Sequence, residues 1–233
     1  LNLLTTLLKE KKMKINKFAI AMSVVLSAAN SLLAQPASNP PADESTSRQQ
    51  SPNAEQTKDQ TFAKCLIISN QEQVLLSRYV KDKLSNEEVK QFAILLEKDH
   101  QACLEKLNGL SAATGTNNSI KVRPVSTATA NKSTNVDFLE LQQEIATQCL
   151  KDTQEYLGQK KGADFDRCFV ALQIAKHAGM KSTLTVLQRH TTGKVQGVIK
   201  EGLDMNSQHM QSAVELMEQL ASQDSSVTTQ APK

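Results

Sequence analysis

The sequence predicts an all-α protein: an antiparallel bundle of about five helices with one long crossover. Three observations carry that reading. The composition is 39% hydrophobic and 3% aromatic with no tryptophan, and its Ala, Leu, Gln, Lys and Glu favour helix over sheet. Five stretches repeat apolar residues at spacings of three and four, the period of a helix face. Between them lie short polar or glycine-containing breaks and one long break at residues 111–134, and short breaks force neighbouring helices to lie antiparallel.

The N-terminus reads as an export signal. Met13-Lys14-Ile15-Asn16-Lys17 is a short basic segment, Phe18 to Leu33 is apolar, and Leu32-Leu33-Ala34 ends it in a cleavable pattern before Gln35-Pro36. At about 16 residues the run falls short of the ~20 that span a bilayer. Residues 1–34 are therefore assigned to the signal, with 1–12 read as an overextended start ahead of Met13. The chain carries 27 basic and 24 acidic residues; without the five lysines and one glutamate of residues 1–34 it keeps 22 and 23, a net charge of −1. That balance gives no basic footprint for a nucleic acid.

Residues 35–60 are rich in Pro, Ser, Asn and Gln and read as a disordered linker, too poor in apolar surface to offset chain entropy. The bundle is assigned to residues 61–221. Its first helix, Thr61 to Lys83, turns Phe62, Leu66, Ser69, Gln73, Leu76 and Val80 to one face. The second, Glu87 to Leu110, follows a capping box of Ser85 and Glu88 and faces inward with Val89, Phe92, Ala93, Leu96, Cys103, Leu104 and Leu107. The third runs from Val136 to Leu157 on Phe138, Leu141, Ile145, Cys149 and Tyr156, with Gly158 as its C-terminal cap. The fourth, Asp164 to Arg189, carries Phe165, Phe169, Leu172, Met180, Leu184 and Leu187. The fifth, Lys194 to Ala221, carries Val195, Val198, Ile199, Ala213, Leu216, Met217 and Leu220, and residues 222–233 form a polar tail.

Histidines interrupt three of these stripes. His100, His177 and His209 each occupy a core-facing position. His177 lies sixteen residues before Gly193 and His209 sixteen after it, so an antiparallel pair brings them level. Neutral imidazoles suit zinc, copper, iron and nickel, which makes the three histidines candidate ligands of a transition metal; the alternative is a buried hydrogen-bond network that keeps helices in register. A di-iron carboxylate centre needs two Glu-x-x-His motifs. Only Glu97-x-x-His100 matches, because Ile174 and Asn206 stand three residues before the other histidines, so that centre is excluded. His190 reads as a favourable charge at a helix C-terminus. No glycine-framed serine, activated cysteine or phosphate loop occurs, and no catalytic residue is assigned.

The four cysteines are even in number in a chain that reads as exported, which permits disulfides. Counted from the turns near Ser85 and Lys160, Cys65–Cys103 and Cys149–Cys168 come roughly level and are the expected pairs; four buried free thiols are the alternative.

The run from Ser85-Asn86-Glu87-Glu88-Val89-Lys90-Gln91-Phe92-Ala93 to Asp99-His100, then Phe165-Asp166 to His177, then His209 with Ala213, resembles the bacterial family known as domain of unknown function four-one-four-two. The resemblance covers residues 61–221. It implies an exported protein with a ferritin-like helical fold, in a family whose members carry the label "predicted outer membrane protein". Against the family pattern, Gln73 stands where a Glu is usual, Phe169 where a Tyr is common, and Lys176 where an Asp is frequent. These departures remove the carboxylate best placed to join the histidines. A barrel is excluded by the helical periods.

Two functions follow. The first is a non-catalytic module of the cell envelope, exported to the periplasm or beyond, in association with the outer membrane or free of it, that binds an envelope protein or a small molecule. The second is a metal-binding redox or storage protein that uses His100, His177 and His209. The missing second Glu-x-x-His and the glutamine at position 73 favour the first. Ligand, partner and oligomeric state carry no signature in the sequence.

Overall fold

A computed structural model of the chain describes residues 52–113 and 137–228, with side chains at 58–110 and 137–223. The expected signal at 1–34, residues 35–51 of the linker, most of the crossover at 111–134 and the end of the tail lie outside the described residues. Five helices, and no strands, occur among those described: α1 (Pro52–Lys81), α2 (Glu87–Ala113), α3 (Phe138–Gly158), α4 (Gly162–His190) and α5 (Gly193–Thr228). None of them is long and apolar enough to cross a membrane.

α1 begins nine residues before the expected helix, inside the stretch read as linker. Proline is well suited to a first helical position, where its missing N–H costs nothing, and Pro52 takes that place. α2 is capped by Asn86, not by the expected Ser85. The Asn86 side chain accepts from the Val89 N–H at 3.0 Å, whereas the Ser85 hydroxyl turns away to Asp166. α3 is capped by Asp137, which accepts from the Leu139 N–H at 2.9 Å. α4 and α5 both open on a glycine at positive φ, Gly162 at 52° and Gly193 at 54°, a conformation that other residues adopt only under strain. Gly158 is not the cap expected of it. It is the last residue of α3, and a Cβ there would come within 3.3 Å of the Tyr79 hydroxyl, so it lets α3 lie close on α1.

The most extensive packing is within the hairpins α1/α2 and α4/α5; α3 lies on α1, and α2 lies on α5. Two pairs of contacts fix the directions. Asp99 of α2 meets His209 of α5, and Lys106 meets Glu201, so those helices run antiparallel. Gln73 meets Gln173 and Asp59 meets Thr192, so α1 and α4 do too. Tyr79 donates to the Gln154 carbonyl at 3.0 Å. Four helices thus form an antiparallel core, with α2 and α4 pointing the same way; the connection between them must return along the bundle, and α3 makes that return. α3 is the third helix expected at Val136–Leu157, two residues shorter at its start and one longer at its end.

The buried faces agree with expectation on α1, α2, α4 and α5, and differ on α3. There the buried residues are Ala146, Leu150, Thr153 and Leu157, while Phe138 and Leu141 are about two-fifths exposed. Both faces of α3 carry apolar side chains, so periodicity alone does not choose between stripes one residue, or about 100°, apart.

The apolar core falls into two lobes. One gathers Leu76, Val80, Phe92, Leu96, Phe165 and Phe169 near the Lys81 end. The other gathers Leu66, Ile67, Leu104, Leu107, Leu184 and Ile199 near the opposite end. Between them runs a layer of buried polar residues: Asn70, Gln73, His100, Gln173, His177, Asn206 and His209.

Candidate metal centre

The polar layer is centred on the three histidines. His100 on α2, His177 on α4 and His209 on α5 are all buried. Their ring centroids lie 5.9 Å apart for His100–His177, 5.4 Å for His100–His209 and 5.2 Å for His177–His209. One ring nitrogen from each lies within 4.8 Å of the other two. The level predicted from the Gly193 pivot is the level they occupy, and His100 joins them.

Each ring is held by a hydrogen bond at one nitrogen, and the partners assign the tautomers. His177 Nδ1 lies 2.8 Å from the Gln173 carbonyl; a carbonyl can only accept, so Nδ1 carries the proton. His100 Nδ1 lies 2.8 Å from Asn70 Oδ1. The Asn70 amide is turned by its own bond from Nδ2 to the Leu66 carbonyl at 2.7 Å, which leaves Oδ1 as the acceptor and His100 Nδ1 as the donor. His209 Nε2 donates to Asp99 Oδ2 at 2.9 Å. The remaining nitrogens, His100 Nε2, His177 Nε2 and His209 Nδ1, are buried and meet no hydrogen-bond partner. In the neutral rings each of these carries a lone pair.

Electrostatics keep the rings neutral where a shift is resolved. Burial, then the neighbouring His177, His209 and Lys176, hold His100 well below the usual imidazole range. Burial pushes His177 down to about 4, against the opposing bond to the Gln173 carbonyl. Lys176 is paired with Glu72 at 2.6 Å, both largely buried, so the lysine that replaces a family Asp has a carboxylate of its own.

Three lone pairs converging from three helices fit a metal ion. An imidazole that binds a metal through one nitrogen usually gives its other N–H to a carboxylate, a carbonyl or an amide, and all three rings do so. A zinc–nitrogen bond of about 2.0–2.1 Å sets the donor atoms roughly 3.3 Å apart, so each ring would draw in by under about 1 Å. Among the described residues this is the one such cluster of histidine, cysteine and carboxylate groups. Glu97, the acid of the Glu-x-x-His motif, takes no part. It faces Arg78 at 2.6 Å and Lys81 at 3.4 Å, and the Arg78 hydrogen bond leads in holding its carboxyl below the usual range. Nor is Gln73 the partner of His100; it bonds Gln173 at 3.3 Å, and Asn70 holds the histidine. The sequence reading missed Asn70, Asp99 and the Gln173 carbonyl as the groups that orient the rings.

The expected disulfides do not form: Cys65, Cys103, Cys149 and Cys168 are free thiols, each partly buried. Asn70 meets His100, so Cys103 comes level with Ile67, not Cys65. Two residues along a helix are also about 200° around it, so Cys65 and Ile67 stand on different sides of α1. Tyr156 Oη lies 3.8 Å from Cys168 Sγ, which makes those residues level and leaves Cys149 seven residues, roughly 10 Å, further along the axis. A bridge needs Cα atoms within about 7 Å. Burial pushes the Cys65 and Cys103 thiols up to about 11, so both stay protonated at neutral pH and make poor ligands.

Residues 43–220 match the family described as a domain of unknown function, DUF4142. The chain belongs to that family. The DUF4142 match starts within the stretch expected to be linker and ends near the close of α5, so it takes in all three histidines and the residues that orient them. No curated protein and no solved structure matches the chain.

Proposed function

We propose that this DUF4142 domain binds one transition-metal ion between His100, His177 and His209. Two observations support it most: one nitrogen from each of the three buried imidazoles lies within 4.8 Å of the other two, and each ring is tied down at one nitrogen while its other nitrogen is buried without a hydrogen-bond partner. A buried acceptor left without a donor costs roughly 1–3 kcal/mol. A bundle that needed histidines only for register would bond both nitrogens, so the arrangement is better suited to a cation. The donors are imidazole nitrogens only, which favours zinc, copper, cobalt or nickel over magnesium and calcium. Asn70, Asp99 and the Gln173 carbonyl set the proton on the far side of each ring, and burial excludes competing water. The order of the two sequence-based readings is thereby reversed: metal binding comes before a metal-free envelope module. Export through residues 1–34 to the periplasm or beyond belongs to the same reading.

Titration of the untagged full-length chain with Co(II) or Zn(II) tests it. One ion per chain is expected, with saturating metal at a hundredfold excess over Kd raising stability by about 2.7 kcal/mol. His177→Ala removes both effects while the helical circular dichroism stays. Metal that binds His177→Ala as well as the parent protein overturns the proposal.

A further inference from the structure

Six of the eight buried side-chain atoms without a hydrogen-bond partner among the described residues lie in one part of the core. Three are the histidine nitrogens. The other three, Gln73 Oε1, Gln173 Nε2 and Ser77 Oγ, belong to residues that are at least nine-tenths buried. Gln73 lies one turn along α1 from Asn70, and Gln173 lies one turn before His177 on α4. Side chains on a helix lean towards its N-terminus, so His177 leans towards the turn that carries Gln173. The two amides bond each other once, Gln73 Nε2 to Gln173 Oε1 at 3.3 Å. Whichever way the pair is turned, one amide N–H group and one amide oxygen remain for a third molecule.

We infer that the open coordination position of an ion at the three histidines faces the Gln73–Gln173 pair, and that it takes a small monovalent anion held by the amide N–H. This rests on the metal reading above. Three side-chain ligands leave a tetrahedral ion one position short. One helical turn rises about 5.4 Å; an ion–ligand bond of about 2 Å followed by a hydrogen bond of about 2.9 Å spans nearly the same distance. Charge points the same way. Three neutral imidazoles around a divalent ion leave two positive charges, and the carboxylate that touches the cluster is Asp99, through His209. The Lys176–Glu72 pair is neutral as a whole. An anion at the fourth position brings the buried site close to neutrality, which matters because an uncompensated charge in the interior is costly. The anion enters by replacing a water on the ion, with no change of oxidation state.

Azide titration of the Co(II)-loaded full-length protein, followed by visible absorption, tests the inference. Saturable changes in the cobalt bands are expected. Gln173→Leu and, separately, Gln73→Leu should keep one Co(II) per chain and need about tenfold more azide, the loss of one hydrogen bond to a charged group. Cobalt bands that azide leaves unchanged overturn the inference in the parent protein alone, whatever the variants do. Variants that take azide as the parent does overturn the role of the amides. A parent protein that binds no Co(II) overturns the metal reading itself, a result distinct from both.

Discussion

Asp166 and the three histidines are both buried polar groups in one bundle, and they are treated differently. The Asp166 carboxylate is met on every side: it accepts from the Ser85 N–H at 3.0 Å, the Ser85 hydroxyl at 2.5 Å and the Asn86 N–H at 2.8 Å. It thereby ties the turn between α1 and α2 to α4. Asp59 ties the far end through one oxygen alone: Oδ2 accepts from the Thr192 N–H at 3.1 Å and its hydroxyl at 2.9 Å, while Oδ1 meets no partner. Each histidine, by contrast with Asp166, is satisfied at one nitrogen and bare at the other. Asp166, which holds the fold, is saturated by the fold. A group left half-satisfied at several points around one centre is shaped for something the chain does not itself supply.

The largest effect that separates the two is set by pH. Burial lowers His177 to about 4 and holds His100 well below its ordinary value. The unfolded chain therefore takes up protons near the ordinary imidazole value of about 6.5 while the folded chain resists. Stability from this source is complete above that pH and is lost as pH falls towards 4. For His177 alone the loss is about 3 kcal/mol, with His100 adding to it. Urea unfolding of chelator-treated protein at pH 7 and at pH 4 measures it, and bound metal should steepen the dependence because protons compete for the same nitrogens.

Next in size is Asp166→Ala. It leaves three donors around Ser85 and Asn86 without their acceptor and should cost about 2–3 kcal/mol in urea unfolding. Metal stoichiometry should not change. Asp99→Asn works the other way. It should weaken metal binding by about 10–100-fold, measured by competition with a chromophoric chelator, with little change in metal-free stability. A common loss of stability and of metal affinity in both variants would erase the distinction between the two kinds of buried group. The smallest effect belongs to Glu97→Ala. Its bonds to Arg78 and Lys81 lie near the surface, so thermal unfolding should register less than about 1 kcal/mol and metal affinity should hold.

Much of this was legible in the sequence. Five helices followed from apolar spacing, and the convergence of His177 and His209 followed from their equal distance to Gly193, because rise per residue is constant in a helix. Rise is an axial quantity, and it serves only where the turn it is counted from is placed correctly; the other failures are angular or lateral. The cysteine pairs were counted from assumed turns, and the contacts Asn70–His100 and Tyr156–Cys168 set the level two residues off for Cys65–Cys103 and seven off for Cys149–Cys168. The α3 stripe was misplaced because Phe138 and Leu141 compete with Leu150 and Leu157. The partners of the histidines were hidden for a related reason: which helix lies beside which decides that Asn70 serves His100 and Asp99 serves His209. Glu97 looked like a ligand by motif, yet it sits on the side of α2 where Arg78 and Lys81 of α1 claim it.

The most direct test of the central claim is X-ray absorption at the metal edge of the full-length protein loaded with one equivalent of Zn(II). Three imidazole nitrogens at about 2.0–2.1 Å are expected in the parent protein, with the loss of that shell in His177→Ala. A sulfur shell, or an imidazole shell unaffected by His177→Ala, would contradict the claim.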